Sequence, residues 1–461
     1  MKYIDFNHPN NVHFIGIGGI SMSGFAELLK NKGFSVTGSD AHSSKITKRL
    51  ESLGIKCTYS NAKENIPEKC DVVVYTAAVK ADNPELMEAK RRNIPTLDRA
   101  DMVGDIMLHY SRNISVAGTH GKTTVTSMMS LIMLEAGLDP TVSVGGVLDA
   151  IGGNVRDGGL GNMVIESCEY TDSFLKFHPT HAIITNIEAE HLDYFKDLET
   201  ERDSFRKFTD LLPETGLLVI ENSIPDHQIL FSKVKCPIVT YSVSDTNADY
   251  YAAGVKYNEY DCGSYTLIHK GEPVASIELN VPGEHNVSNS IGAAAMALGC
   301  GIENIHISDA LKKFTGTERR FEKKGVLNGV TIIDDYAHHP TEMKATLNAA
   351  LKYPHKTLWC VFQPHTYSRT ISFKDEICKA LSLADKVILT DIYAAREKDP
   401  GTISSKMLAE EISNHFGKTA YYFSDFCDIE NFLLANCKEG DLLITMGAGN
   451  VVKIGEDLLN G

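Results

Sequence analysis

Val116-Ala117-Gly118-Thr119-His120-Gly121-Lys122-Thr123-Thr124 is the stretch on which the reading of this chain turns. The apolar run Ile114 to Ala117 leading into it predicts a buried strand. The residues from Lys122 to Ala136 predict a helix capped by Gly137. Backbone N–H groups at such a turn, added to the positive end of the helix, form an anion cradle. Gly118, Thr119, His120, Gly121 and Thr124 belong to that cradle. Lys122 is placed to reach the terminal phosphates of a nucleotide, and the Thr123 hydroxyl to hold Mg²⁺. The turn departs from GxxxxGK[ST] at one place, where Val116 occupies the first glycine position. The competing reading is an ordinary turn with a surface lysine, and GKTT between a strand and a good helix disfavours it.

Outward from this turn, Met163 to Glu166 and Ala182 to Asn186 are short apolar runs ending in polar residues. Buried parallel strands that deliver side chains at their carboxyl ends look like this. They make Glu166 and His191 candidate metal residues beside Thr123, although Mg²⁺ prefers oxygen ligands and histidine is a less typical one. Residues 249–281 alternate as antiparallel strands do, and predict a side sheet.

Upstream, HFIGIGGISMSG (13–24) follows the strand Val12 to Ile17 and opens a helix that ends near Gly33. It resembles G-x-G-x-x-G, with Gly16 and Gly18 in place and Ser21 at the third position. Gly19 lies inside the turn, and Asp40 falls where a ribose-binding acid belongs. The glycines report only that a diphosphate can approach the backbone closely, which suits NAD or a nucleotide sugar equally. Downstream of residue 317, VTIIDD, TLWCVF, KVILTD and DLLITM alternate with helical segments and end in the turn GAGN (447–450). One of those helices is expected after Pro340 and another from about residue 372. The fold class is therefore α/β with doubly wound parallel sheets.

The composition agrees. A chain of 461 residues holds roughly two to four domains. Its 45 Lys and Arg against 60 Asp and Glu leave a net charge of −15. It has no general electrostatic reason to bind nucleic acid or an anionic membrane. The ten cysteines contain no CxxC pair, which favours free thiols in a reducing compartment over a zinc ribbon or disulfide scaffold. MKYIDFNHPN has no apolar leader, and the uncharged segment Asn286 to Ile302 is shorter than a span of ~20 residues. A cytoplasmic protein, monomeric or weakly dimeric, is expected.

With these residues in hand, the chain resembles the Mur ligases, ATP-dependent amide-bond-forming enzymes of peptidoglycan precursor synthesis. The motifs that carry the resemblance run the whole length: HFIGIGGISMSG (13–24), GSD (38–40), AGTHGKTT (117–124), TNIEAEH (185–191), PGEHNVSNSIGA (282–293), DDYAHHPTE (334–342), FQPHTYSRT (362–370), TDIYAAREK (390–398) and GAGN. The resemblance implies three domains: a Rossmann-like UDP-sugar domain over 1–110, a central ATPase domain over 111–316, and a Rossmann-like C-terminal domain over 317–461. Within the family the motifs are most similar to members that join L-alanine to UDP-N-acetylmuramate.

The resemblance also implies residue roles. Gly16, Gly18, Gly19, Ser21 and Asp40 map to the sugar-nucleotide site, and His120 faces the muramyl group. Lys122 and Thr123 map to the phosphate lysine and the Mg²⁺ hydroxyl, and Glu166 and His191 to the metal-associated pair. His285, Asn286 and Asn289 map to the ATP base, and Arg320 and Asp335 to the C-terminal contribution to ATP. Tyr336, His338 and Arg369 fall on the amino-acid side. His338 is the candidate proton acceptor and Arg369 the candidate partner of the alanine carboxylate, and the C-terminal domain is expected to close during the reaction. One departure stands out: the acid-rich run after Glu166 reads ESCEYTD (166–172), with Cys168 in its third position. The alternatives are a murein-peptide ligase of the same family, a nicotinamide-dependent oxidoreductase using Gly16 and Gly18, and a nucleotide switch without catalysis.

Overall fold

The computed structural model describes residues 3–191 and 194–461. They divide into two compact units, Met1–Tyr250 with Gly292–Ile307, and Tyr251–Ile291 with Ser308–Gly461.

The first unit holds two sheets. In the first, β1 (Asn11–Ile15), β2 (Ser35–Ser39), β3 (Lys56–Thr58), β4 (Val72–Tyr75) and β5 (Thr96–Asp98) run in the order β3-β2-β1-β4-β5. Every pair is parallel. Helices cover such a sheet on both faces, which is why Val72, Val73 and Val74 form an unbroken buried run. The helix Ile20–Asn31 packs on it through Met22, Phe25, Ala26, Leu28 and Leu29, spaced along one helical face. β1 ends two residues before the expected Ile17, because Gly16 takes φ +82° and turns the chain. Ser21, expected within a glycine turn, lies instead in the first turn of that helix.

The second sheet contains β6 (Arg112–Ala117), β7 (Thr141–Leu148), β8 (Gly153–Arg156), β9 (Asn162–Glu166), β10 (His181–Ile184), β11 (Leu217–Glu221) and β12 (Ile238–Ser242). Their order is β12-β11-β10-β6-β9-β7-β8. All neighbours are parallel except β7 and β8. The helix Lys122–Glu135 buries Val125, Met128, Met129, Ile132 and Met133 completely. Ala136 closes it, so Gly137, at φ +69°, sits one residue past the cap rather than at it. β10 stops at Ile184, two residues short of the expected Asn186, because Thr185 and Asn186 turn away to bond the loop after β6.

In the second unit β13 (Tyr250–Tyr257), β14 (Cys262–His269) and β15 (Glu272–Pro282) form the side sheet that the alternation predicts, in the order β13-β14-β15. Ile277, Leu279 and Val281 of β15 are buried at period two. The remaining sheet contains β16 (Glu322–Leu327), β17 (Val330–Asp335), β18 (Leu358–Phe362), β19 (Lys386–Leu389), β20 (Thr419–Tyr422) and β21 (Leu442–Met446). Their order is β16-β17-β21-β18-β19-β20, with only β16 antiparallel to its neighbour. The helix Pro340–Lys352 follows β17 as expected. The helix expected from about residue 372 is two helices, Tyr367–Ser372, which carries Arg369, and Lys374–Leu381.

Among the described residues no helix is long and apolar enough to cross a membrane. The cysteines are free thiols.

One buried ion pair braces the second unit. Arg319 Nε donates to Asp334 Oδ2 at 2.9 Å, and its two terminal nitrogens donate to the carbonyls of Gly449 and Gly447 at 3.0 and 2.6 Å. Asp334 is fully buried and also accepts from Thr445. Removing one partner strands the other charge, a loss of about 3–5 kcal/mol in buried pairs. Arg319→Ala is expected to lower unfolding free energy by about that amount, read from urea denaturation of the purified chain.

Candidate active site

The loop after β6 is fixed by the segment after β10. Asn186 Oδ1 accepts the His120 N–H at 2.8 Å. The His120 carbonyl accepts from Thr185 Oγ1 at 2.6 Å and from Asn186 Nδ2 at 3.1 Å. Thr119 N donates to the Asn186 carbonyl at 3.1 Å, and Glu188 N donates to Thr119 Oγ1 at 2.8 Å. Gly118 lies against this brace at φ +136°, where an added Cβ would stand 2.1 Å from Thr185 Oγ1. Gly121, Lys122, Thr123 and Thr124 then enter the helix, with Gly121 as its N-cap. The first helical turn therefore presents backbone N–H groups at the carboxyl edge of a parallel sheet, next to a lysine.

Lys122 is turned into its own loop. Its Nζ donates to the carbonyls of Gly118 and Thr119 at 2.5 and 3.0 Å, and to both oxygens of Glu169 at 3.2 and 3.1 Å. Burial alone would depress its pKa. The charges of Glu169, Glu190 and Glu166 outweigh burial and push it up, so the ammonium is held protonated.

Glu166 ends β9 in register with Val116 and accepts the Gly145 N–H at 2.8 Å. The carboxylate seen beside His191 is that of Glu169, with His191 Nε2 3.6 Å from Glu169 Oε1. Cys168, Glu169 and His191 bring one ligand atom each within 4.8 Å of one another. Sequence reasoning assigned Glu166 and His191 and missed Glu169, whose signal was its place as the fourth residue of the acid-rich run. It also missed Glu201, which is fully buried and accepts the Glu190 N–H at 3.1 Å. Burial pushes the Glu201 carboxyl up to about 8, reinforced by Glu169 and Glu190. Its signal was an acid sharing a helical face with Ser204, Phe205 and Phe208, all buried.

At the carboxyl ends of β1, β2 and β4 lies a cleft of about 790 Å³, lined by Gly16, Gly18, Gly19, Asp40, Thr76 and Lys80 among others. This is the point where strand order reverses, the usual ligand crevice of an open parallel sheet. Asp40 Oδ2 accepts the Gly18 N–H at 2.8 Å and Oδ1 that of Ala41 at 2.8 Å, so the acid braces the glycine loop. Ser21 accepts from Arg99 at 3.5 Å.

In the second unit Asn286 and Asn289 are buried and joined, Asn289 Nδ2 to Asn286 Oδ1 at 3.1 Å, while His285 is exposed. Asp335 accepts the Phe321 and Ala337 N–H groups at 2.8 and 2.7 Å. Burial lifts its carboxyl to about 6 against the pull of Arg320. Two guanidinium groups approach the Tyr336 ring, that of Arg319 at 4.9 Å and that of Arg320 at 5.4 Å from its centre. His338 Nδ1 lies 3.0 Å from the Tyr336 carbonyl. A carbonyl only accepts, so Nδ1 carries the proton and Nε2 is the basic nitrogen. Arg369 Nη1 donates to His365 Nδ1 at 3.1 Å. Burial, with His338 and Arg369 nearby, holds His365 down at about 4, so it is neutral and able to accept. His338 and Arg369 are thus joined through His365, whose ring packs 5.7 Å from that of His338 and 5.6 Å from that of Tyr393, and Tyr336 meets His338 edge-on at 5.6 Å.

Three family models lie along this chain: "Mur ligase family, catalytic domain" over residues 11–111, "Mur ligase middle domain" over 116–297 and "Mur ligase, glutamate ligase domain" over 319–449. The chain belongs to the Mur ligase family. It is a three-domain α/β Mur ligase. It is 55% identical, over the full length of both chains, to the UDP-N-acetylmuramate–L-alanine ligase of Lachnoclostridium phytofermentans. It is 52% identical to that of Acetivibrio thermocellus, over all of this chain and 97% of the relative. The crystal structure of the Thermotoga maritima UDP-N-acetylmuramate–alanine ligase matches with a TM-score of 0.83 at 28% identity, covering 98% of each chain. A murein peptide ligase from Psychrobacter arcticus matches at 0.72 and 25%, with the same coverage.

Gly118→Ala, with Cβ driven onto Thr185 Oγ1, is expected to lower ATP turnover by at least about 100-fold, read as phosphate release. Glu201 has a folded pKa above its ordinary carboxylate value. The folded state therefore keeps a proton that the unfolded state has lost, and stability falls as pH rises from about 4.5 to about 8. Glu201→Gln removes this contribution, so its stability should decline less than wild type's between those pH values in denaturation midpoints.

Proposed function

We propose that this Mur ligase joins L-alanine to the lactyl carboxylate of UDP-N-acetylmuramate, converting ATP to ADP and phosphate. The observation that carries the reading is the full-length identity of about half the residues to ligases named for that reaction, on a chain whose lysine-bearing glycine turn is built for phosphate.

A carboxylate is a poor acyl donor. Its attack on the γ-phosphorus of ATP expels ADP and leaves an acyl phosphate, whose phosphate is a good leaving group. Catalysis of such a transfer is mostly positioning and neutralisation of charge. The loop N–H groups and Lys122 supply both, with Lys122 exchanging its loop carbonyls and Glu169 for phosphate oxygens. Thr123, Glu166 and Glu169 offer the oxygen donors that suit Mg²⁺, with His191 beside Glu169. When bound there, the ion would neutralise phosphate charge. The alanine amine attacks the acyl carbon, the tetrahedral intermediate expels phosphate, and the amine proton passes to His338 Nε2 or to water. Arg369 pairs with the alanine carboxylate, and neutral His365 holds the guanidinium in place. Asn286, Asn289, Arg320 and Asp335 serve ATP, and the cleft around Gly16, Gly18, Gly19 and Asp40 takes the UDP diphosphate.

Phosphate release by the purified chain is expected to require ATP, Mg²⁺, UDP-N-acetylmuramate and L-alanine together. Substitution of L-alanine by a peptide should abolish it; turnover with a tripeptide instead would favour a murein-peptide ligase. Lys122→Ala should reduce ligation by at least about 1000-fold, because a charge that neutralises the transferred phosphoryl group is lost. A variant with wild-type activity would overturn the phosphate role.

A further inference from the structure

Beneath the diphosphate cleft lies a buried polar network that the reaction scheme does not use. Glu85 is fully buried in the helix Pro84–Arg91. One carboxylate oxygen meets His13 Nε2 at 2.9 Å and accepts from Ser39 Oγ at 2.8 Å. The other accepts from Asn65 Nδ2 at 3.1 Å. His13, only 1% exposed, continues through Nδ1 to Thr37 Oγ1 at 2.8 Å. A buried carboxylate is tolerated only when its lone pairs are satisfied in this way.

We propose that Glu85 is a positioning residue for the nucleotide-sugar cleft, joining through its carboxylate the four chain segments that form the walls. His13 stands on β1, three residues before Gly16. Ser39 ends β2 next to Asp40, and its carbonyl accepts the Gly16 and Ile17 N–H groups at 2.8 and 2.9 Å. Asn65 also donates to the Ser60 carbonyl at 2.6 Å, beside Asn61, which lines the cleft. Glu85 itself follows Asn83 and Pro84, both in the cleft wall, and its N–H donates to Asn83 Oδ1 at 2.9 Å. These walls are loops at strand or helix ends; bonds such as Gly18 N–H to Asp40 join two of them at a time, and the Glu85 carboxylate joins all four. One carboxylate sets their spacing, and so the fit to the diphosphate and its sugar.

This inference rests on the reading that the cleft takes UDP-N-acetylmuramate. The test is steady-state phosphate release by the full chain, with each substrate varied in turn, and calorimetric binding of UDP-N-acetylmuramate alone. Glu85→Gln keeps the shape but points an amide N–H₂ at one of the donors. It is expected to raise KM and Kd for UDP-N-acetylmuramate about tenfold, with kcat within about twofold and KM for ATP and L-alanine unchanged. Ser39→Ala, which deletes one donor, should raise the same KM about two- to fivefold. A merely structural role would lower the active fraction, and hence apparent kcat, while leaving every KM in place; that result overturns the proposal. If Glu85→Gln is not recovered folded, Ser39→Ala and His13→Gln decide: an unchanged KM in both overturns it. Wild-type protein that does not bind UDP-N-acetylmuramate would instead overturn the reading of the cleft.

Discussion

A carbonyl and an N–H of one residue, His120, are both taken by side chains that follow β10, and the loop from Gly118 to Thr124 has its shape because of it. The constraint is steric as well as polar. Thr185 can reach the loop only where residue 118 has no side chain, and the left-handed φ there is open to glycine. β6 and β10 are parallel neighbours, with Ile184 in register with Ala117, so the sheet itself brings the brace to the loop. The lysine and the helix start are then held on a rigid edge rather than on a free turn.

The same construction recurs at the other sheets. In the first, the strand-order reversal gathers Gly16, Asp40 and Thr76 at one edge, and the buried Glu85 carboxylate links the segments behind them. In the C-terminal sheet Arg319 performs the equivalent task. It joins Asp334 at the end of β17 to the carbonyls of Gly447 and Gly449 after β21. The first and C-terminal sheets thus each place a buried, hydrogen-bonded acid or guanidinium behind the loops at one edge, where the central sheet uses Thr185 and Asn186. A buried ion pair adds little net stability over an apolar replacement, although removing one partner alone is costly. These groups are best understood through the loops they aim.

Much of this was legible in the chain. The strand-glycine-helix pattern at 114–136 and the apolar runs at 72–74, 163–165 and 442–446 follow from burial on both faces of a parallel sheet, which leaves a continuous apolar signature. Gly16, Gly18 and Lys122 stood out by their glycine-turn chemistry, and Asp335 and Arg369 through the motifs that resemble the family. Less legible were groups whose roles depend on long-range pairing. Glu85 reads as an ordinary acid in the first turn of a helix, and Arg319 as one of two adjacent arginines. Glu169 is one acid among several in a run, yet it is the one that meets Lys122. His365 is pushed down to about 4 by burial first, and then by His338 and Arg369 beside it, a setting that the motif does not spell out.

The sequence by itself determined the α/β class, the order of the motifs, the family and the residue types able to carry phosphoryl and acyl transfer. The class and the residue types follow from local period, turn chemistry and charge, and the family from the resemblance carried by the motifs. Only the tertiary structure decided which acid faces Lys122, which carboxylate is buried and protonated at neutral pH, and which side chains hold the loops. The physical reason is that a pKa or a hydrogen-bond partner depends on groups brought near by strand pairing. Residues 119 and 186, or 13 and 85, are far apart in the chain, and their spacing along it carries no record of the contact.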